Sequence, residues 1–307
     1  MRQENKKRIA PILLVTAVLI WGFGYVSTKR VLGAVSPETL TCVAYIYAGL
    51  AGIPFLIRKR RQIHKKILLY AVVLGGMLFV SRLLQVYGCN FTTAGKNAFI
   101  TSSYVVLVPI MGAILHKNKI SVRHILLAGV SLFGISLIAL NETMSGVNLG
   151  DILTFIGAVG FGLHIIYNGI YVQDNDPVLI GVLQTEVTAV ISAIMLLIRQ
   201  ESVTSWCFDI SVQIPFLYLG VISTFFGFLL QSAGQEYVAA DKASMILAME
   251  AVTGAVFSAL ILHEQYGIRL LIGCIIVFSA NIMANLEGVS GQKKIKIIEK
   301  KALQNTY

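Results

Sequence analysis

Arg82, His164, Glu186 and Glu250 each lie inside a run of apolar residues. Ionisable side chains in such surroundings bind charged solutes, relay protons or form buried ion pairs. At the centre of a bilayer each costs at least about 2.5–3.5 kcal/mol on insertion scales, so each must face a protein interior or a water-filled cavity. Glu250, toward the middle of its run, reads as a coupling or gating carboxylate. Arg82 has two open readings: it binds an anionic group of a substrate, or it pairs with Glu186 or Glu250. His164 reads as a hydrogen bonder between helices or as a proton relay. Glu186 sits nearer the start of its run, where a cavity mouth is an alternative location.

Uncharged polar residues add to this set. Asn97, Thr101 and Tyr104 follow the i, i+4, i+7 spacing of one helical face, with Ser103 beside them. Gln231 and Gln235 share a face in a later run, and Gln85 follows Arg82 by three. One such stripe could be explained by hydrogen bonds between helices, worth only about 0.6–2 kcal/mol each. Stripes in both halves of the chain, together with a buried arginine and a carboxylate, point to a shared polar cavity. Pro109 removes a backbone donor from its helix and predicts a kink there.

The elements that position these residues follow from composition. Of the 307 residues 56% are apolar and 13% are charged, against about 25% charged in soluble domains. Runs of about 20 apolar residues, enough to cross a bilayer, recur at 9–28, 38–57, 67–88, 97–115, 122–140, 150–172, 178–198, 212–233, 243–262 and 266–286. The expected fold is therefore an all-α integral membrane protein with ten transmembrane helices. The first run is longer than a signal-peptide core and lacks a small-residue cleavage site, so it reads as a retained helix.

Placing the N-terminus in the cytoplasm puts 19 of the 25 Lys and Arg on that side, in the segments MRQENKKR, RKRRQIHKK, HKNKISVR, the 291–307 tail and at Lys242. The positive-inside rule then sets both termini in the cytoplasm. The net charge of +10 is thus a topology signal with affinity for anionic lipid, and no nucleic-acid partner is expected. Cys89 and Cys207 both fall near the expected outer surface, but spacing alone assigns no pair.

A polar loop, NETMSGVNLG (141–150), divides the chain into two sets of five spans. AGKNAFITSSYVVLVPIMGAILH (94–116) and ADKASMILAMEAVTGAVFSALILH (240–263) both open Ala-x-Lys and both end Leu-His. Because five is odd, the second copy must lie upside down relative to the first. Inverted repeats are the mark of many secondary transporters, with the substrate site between the halves near the midplane. The expected domains are repeats over 1–145 and 146–288 and a basic cytoplasmic tail over 289–307.

Enzyme motifs are lacking. His263-Glu264 continues without the second histidine of HExxH, and neither GxSxG nor a Walker A loop is present. No His/Cys cluster has metal-ligand spacing. The expectation is no enzyme, no cofactor and no metal.

Several segments resemble the EamA family of the drug/metabolite transporter superfamily. WGFGYVSTKR (21–30) resembles its span-one motif, TTAGKNAFITSSYVVLVP its fourth-span signature, GDILTFIGAVGFGLHIIY (150–167) the opening of its second repeat, and LLQSAGQEYVAADKASMILAMEAVTGAVFSALILHE (229–264) the end of both repeats. The resemblance covers about residues 9–287. By motif position Trp21, Lys29, Tyr104, Gln231, Gln235 and Glu250 match places the family pattern favours. It implies a central cavity, to which Trp21 and Tyr25 are assigned, with Lys29 set beside Glu250 and Glu186 as coupling or gating residues. It also implies export of amino acids or other small metabolites across a bacterial plasma membrane. The partners expected are a small-molecule substrate, the lipid bilayer and a proton as candidate coupling ion. Ala251 departs from the proline usual after the glutamate, and His263-Glu264 departs from Gly-Glu. A channel, a lipid flippase or a membrane receptor remain alternatives, since fold does not fix function.

Overall fold

The computed structural model describes residues 2–116, 122–139, 148–199, 205–263, 267–269 and 271–283. The expected domain junction at 145/146 and the 289–307 tail lie outside the described residues. The elements are α1 (Arg2–Leu32), α2 (Pro37–Lys59), α3 (Lys65–Phe91), α4 (Ala94–Thr101), α5 (Tyr104–His116), α6 (Val122–Ala139), α7 (Leu149–Tyr171) and α8 (Pro177–Arg199). They continue with α9 (Ile210–Leu217), a π-helical stretch (Tyr218–Phe226), α10 (Gly227–Gln235), α11 (Ala240–Leu247), α12 (Glu250–Ile261) and α13 (Leu271–Met283). Among the described residues there is no strand.

Local chemistry explains several boundaries. Ser36 caps α2 through Oγ, which accepts from Thr39 N, and Pro37 opens the helix where no backbone donor is needed. Asn148 and Asp151 cap α7 reciprocally, each side chain accepting from the other's backbone N–H. At the head of α9 the Ser211 hydroxyl, and after it the Ser211 backbone N–H at 2.8 Å, donate to Asp209 and hold its carboxyl below the usual range.

Eight stretches are long and apolar enough to cross a membrane, and Val122–Leu137 and Leu271–Met283 are shorter apolar helices. The count of membrane-length helices among the described residues is thus eight where ten spans were expected. Exposed Ile12, Leu50, Leu69, Val130, Ile194 and Leu260 give the outside an apolar surface suited to lipid. None of the four cysteines forms a disulfide.

Two of the long stretches are broken. Ser102 and Ser103 separate α4 from α5, and Ala248 and Met249 separate α11 from α12. At each break the backbone tightens to i→i−3 bonds: Ser103 N to Ile100 O at 3.2 Å and Val105 N to Ser102 O at 3.0 Å in one, Met249 N to Ile246 O at 3.1 Å and Ala251 N to Ala248 O at 3.2 Å in the other. The kink expected at Pro109 is displaced, since α5 runs through that residue. A proline costs a helix only the donor its own position supplies, whereas the tightened turn reorganises several bonds.

Packing repeats across the halves. α3 lies along α7 as the stretch 210–235 lies along α1; α4 and α5 meet α7 as α11 and α12 meet α1; and α2 packs on α8. Among these elements, exchanging the halves returns a similar set of contacts.

Candidate functional site

A cavity lies between the halves, with residues of both lining it. Its walls come from α1 (Trp21, Gly24, Tyr25), α2 (Tyr45), α3 (Arg82, Gln85), the breaks (Thr101, Tyr104, Leu247, Glu250), α7 (Phe161, His164, Ile165), the π stretch (Ser223, Thr224) and α10 (Phe228, Gln231).

The first-half wall is built around Arg82. Its Nη1 donates to Gln85 Oε1 at 2.6 Å and its Nη2 to Thr28 Oγ1 at 2.9 Å. Gln85 Nε2 in turn donates to Tyr25 OH and to Thr101 Oγ1, both at 3.0 Å. Arg82 therefore sits among neutral acceptors, and neither Glu186 nor Glu250 forms an ion pair with it. Of the two sequence readings, an ion pair with Glu186 or Glu250 is not formed among the described residues.

Glu250 opens α12 and accepts from Tyr104 OH at 3.0 Å, where Tyr104 opens α5. Both residues are buried. This hydrogen bond links the two helix breaks, whose flanking helices also pack on each other.

The second-half wall is aromatic and amide-rich. Trp21 lies 5.2 Å from Phe228 between ring centroids, and His164 meets Phe228 edge-on at 5.6 Å. Trp21 Nε1 donates to Ser223 O at 2.8 Å, a carbonyl on the π stretch. The ring reaches it because residue 227 is glycine; a Cβ there would stand 2.4 Å from Trp21 Nε1.

Behind this wall runs a chain of buried hydrogen bonds. His164 Nε2 pairs with Gln184 Oε1 at 2.8 Å, Gln184 Nε2 donates to Ser232 Oγ at 3.3 Å, and Ser232 Oγ donates to Asn168 Oδ1 at 3.0 Å. Asn168 Nδ2 and Gln231 Nε2 both donate to Gln235 Oε1, at 2.7 and 3.0 Å.

Nine of the residues expected from sequence meet in this cavity: Trp21, Tyr25, Arg82, Gln85, Thr101, Tyr104, His164, Gln231 and Glu250. Four stand outside it. Asn97 Nδ2 donates to Gln85 O and Thr154 Oγ1 between α3 and α7. Asn97 lies one turn before Thr101 in α4, where its amide is taken up by the α3–α7 contact. Gln235 is spent on Asn168, Gln231 and the backbone of Ile165. Lys29 Nζ donates to Cys89 O at 3.0 Å and Thr92 O at 2.7 Å, satisfying carbonyls at the end of α3. Glu186 lies in the α2–α8 contact, where a Cβ on Gly52 would come 2.4 Å from its Oε1.

Sequence reading missed Tyr45, Phe161, Ser223, Thr224 and Phe228. One signal for them was available. The offset of 146 residues that separates Tyr104 from Glu250 also relates Gln85 to Gln231 and Gly88 to Gly234, while Gly-Phe-Gly occurs at both 22–24 and 160–162.

Two further features lie at opposite ends of α7. Lys96 Nζ donates to Asp151 Oδ2 at 2.7 Å, a buried ion pair tying α4 to α7 beside the α3 terminus. At the opposite end of α7 a larger second cavity is lined by α5, α7 and the 236–241 turn, with His124 Nδ1 3.0 Å from Asp241 Oδ2 at its edge.

The sequence matches the EamA-like transporter family over residues 8–140 and again over 148–286. It is 29% identical over 289 residues to an uncharacterised transporter of Archaeoglobus fulgidus, covering 91% of this chain and 89% of that one. The uncharacterised transporter YoaV of Bacillus subtilis is 22% identical over 273 residues, covering 86% and 92%. A solved crystal structure superposes with a TM-score of 0.71 at 16% identity, covering 90% of this chain and 96% of that one, which is a likeness of fold.

Proposed function

This chain is a multi-pass membrane protein of the EamA-like transporter family, and from that premise we propose that it is a secondary carrier exporting small metabolites, amino acids or related compounds, by alternating access through the central cavity. The observation that carries this reading is the cavity itself: a cation and a carboxylate, Arg82 and Glu250, stand in one pocket between two repeats. A solute bound there faces each side in turn as the halves rock.

The proposal includes ten spans in two inverted repeats, 1–145 and 146–288, with α6 and α13 as the fifth and tenth. It also includes cytoplasmic termini, supported by the placement of Lys and Arg, and a bacterial plasma membrane, supported by the short hydrophilic connections. A proton carried by Glu250 is the proposed coupling ion, supported by the burial of that carboxylate beside Tyr104.

Comparing small-molecule profiles in cells and medium, for the parent chain and Glu250→Gln, tests the reading. One metabolite class moving outward with the parent alone is expected. No difference, with both proteins inserted, overturns export. Flux indifferent to the pH gradient removes the proton, and flux without saturation or counter-exchange makes the protein a channel.

A further inference from the structure

Glu186 lies near the middle of the 23-residue helix α8, about 14 Å along the axis from Pro177 at the usual rise. The hydrocarbon of half a bilayer is about 15 Å deep. Glu186 lines neither cavity. Its side chain instead meets α2, a helix of the other half, at a point of close approach. A Cβ on Gly49 would stand 2.5 Å from Ala189 Cβ and 3.4 Å from Glu186 Oε2, and one on Gly52 would stand 2.4 Å from Glu186 Oε1. The carboxyl thus occupies a notch that two glycines cut in α2, with the Phe225 ring beside it.

Nothing in this notch answers a negative charge. Oε1 is buried without a hydrogen-bond partner, and no ion pair among the described residues includes Glu186. The elements packed on α8 are α2, α3, α10 and the π stretch, and their polar titratable groups at this depth are committed elsewhere. On α2 Tyr45 donates to Leu78 O and Tyr47 to Gln213 Oε1, while Cys42 is buried against Phe79. On α3 Arg82 donates to Gln85 and Thr28, and on the π stretch Tyr218 donates to Ile20 O. No charged group among the described residues acts on the Glu186 carboxyl. A helix backbone bared by glycine offers acceptors and no donors, because its N–H groups are used within the helix while each carbonyl keeps a second lone pair. A carboxylate only accepts, so it finds no partner there; a carboxylic acid donates, and the notch suits it.

We propose that the α2–α8 contact is a proton-binding site, in which the Glu186 carboxyl carries a hydrogen and donates it to the bared backbone of α2. The site joins the two halves outside the central cavity and is separate from Glu250. Release of the proton would set an unpaired charge between helices of opposite repeats at mid-membrane, where ionised groups are costly, so the contact stays closed while the proton stays. The site stands on the α2–α8 geometry and not on the carrier reading.

The test is infrared absorption of the full chain in nanodiscs at neutral pH. The carboxylic C=O band of the parent should lose a component in Glu186→Gln, with the carboxylate absorption unchanged, and the same component should persist in Glu250→Gln. Gly52→Ala, whose Cβ claims the place of Oε1, should shift or remove that component. Loss of carboxylate absorption in Glu186→Gln, with the carboxylic band intact, shows an ionised side chain and overturns the proposal; so does a component that Gly52→Ala leaves unmoved. Should Gly52→Ala fail to give monodisperse protein, Glu186→Asp, which withdraws the carboxyl from the notch by a methylene, must shift the component instead. A chain that exports solute but lacks the component overturns this site and leaves the carrier reading standing. A chain that shows the component and moves no solute supports the site, and the carrier reading falls.

Discussion

Tyr104 and Glu250 stand 146 residues apart, each the first residue after a break in its membrane-length helix, and the tyrosine hydroxyl donates to the carboxylate at 3.0 Å. The two irregular turns, one from each half, are therefore hydrogen-bonded to each other on the cavity wall.

Tyr104→Phe removes that donor and keeps the ring. A hydrogen bond between membrane helices is worth about 0.6–2 kcal/mol, so the melting temperature in detergent should fall by a few degrees at most. Transport should fall more than stability does, because the bond joins the two breaks. A variant with parental flux would show that the junction does not matter to the cycle.

Lys96→Met leaves the buried carboxylate of Asp151 without its counter-charge. Removing one partner of such a pair costs about 3–5 kcal/mol. Lys96→Met with Asp151→Asn should recover most of that loss, since Asn can still accept from the Asn148 backbone N–H. Thermal unfolding of the two singles and the double gives the coupling directly. Additive losses would rule out the pair as a stabilising contact.

Gly88 and Gly76 share α3 but not their surroundings. A Cβ on Gly88 would lie 1.9 Å from Thr154 Oγ1 and 2.6 Å from Gly150 O, while nothing lies within 4 Å of one on Gly76. Gly88→Ala should therefore force α3 from α7 and cost about 1–3 kcal/mol. Gly76→Ala should be neutral or stabilising by up to about 1 kcal/mol, from helix propensity. Parallel melting curves check the order of the two.

Trp21 offers an optical readout. The chain has two tryptophans, so Trp206→Phe leaves only the indole on the cavity wall. Its emission should change saturably as a cavity ligand is titrated, with a midpoint equal to that of binding measured by calorimetry. Unchanged emission during proven binding would place the ligand elsewhere.

Much of this arrangement was legible in the sequence. The interior positions of Arg82 and Glu250, and their company of Gln85, Thr101, Tyr104 and Gln231, followed from polar residues that lipid would not tolerate. Asn97 and Gln235 misled because a polar stripe reports only that a partner exists. Whether that partner is a ligand, Thr154 or Asn168 depends on a neighbouring helix far away in the chain. The breaks at 102–103 and 248–249 gave no local sign, since neither contains glycine or proline. The cavity aromatics were hidden for a different reason: in a membrane segment phenylalanine is equally at home facing lipid, a neighbouring helix or a pocket.

The 146-residue offset sets Arg82 against Phe228 and Glu250 against Tyr104, and this mismatch bears on the kinetics of any carrier built this way. When the halves exchange roles, the packing is restored but the charges are not, so a loaded cavity facing one side differs in free energy from the same cavity facing the other. Half-saturation then falls at different concentrations on the two faces of the membrane. Detailed balance ties that difference to the ratio of maximal rates, making the protein a fast conduit in one direction and a thrifty one in the other, with the same equilibrium between them.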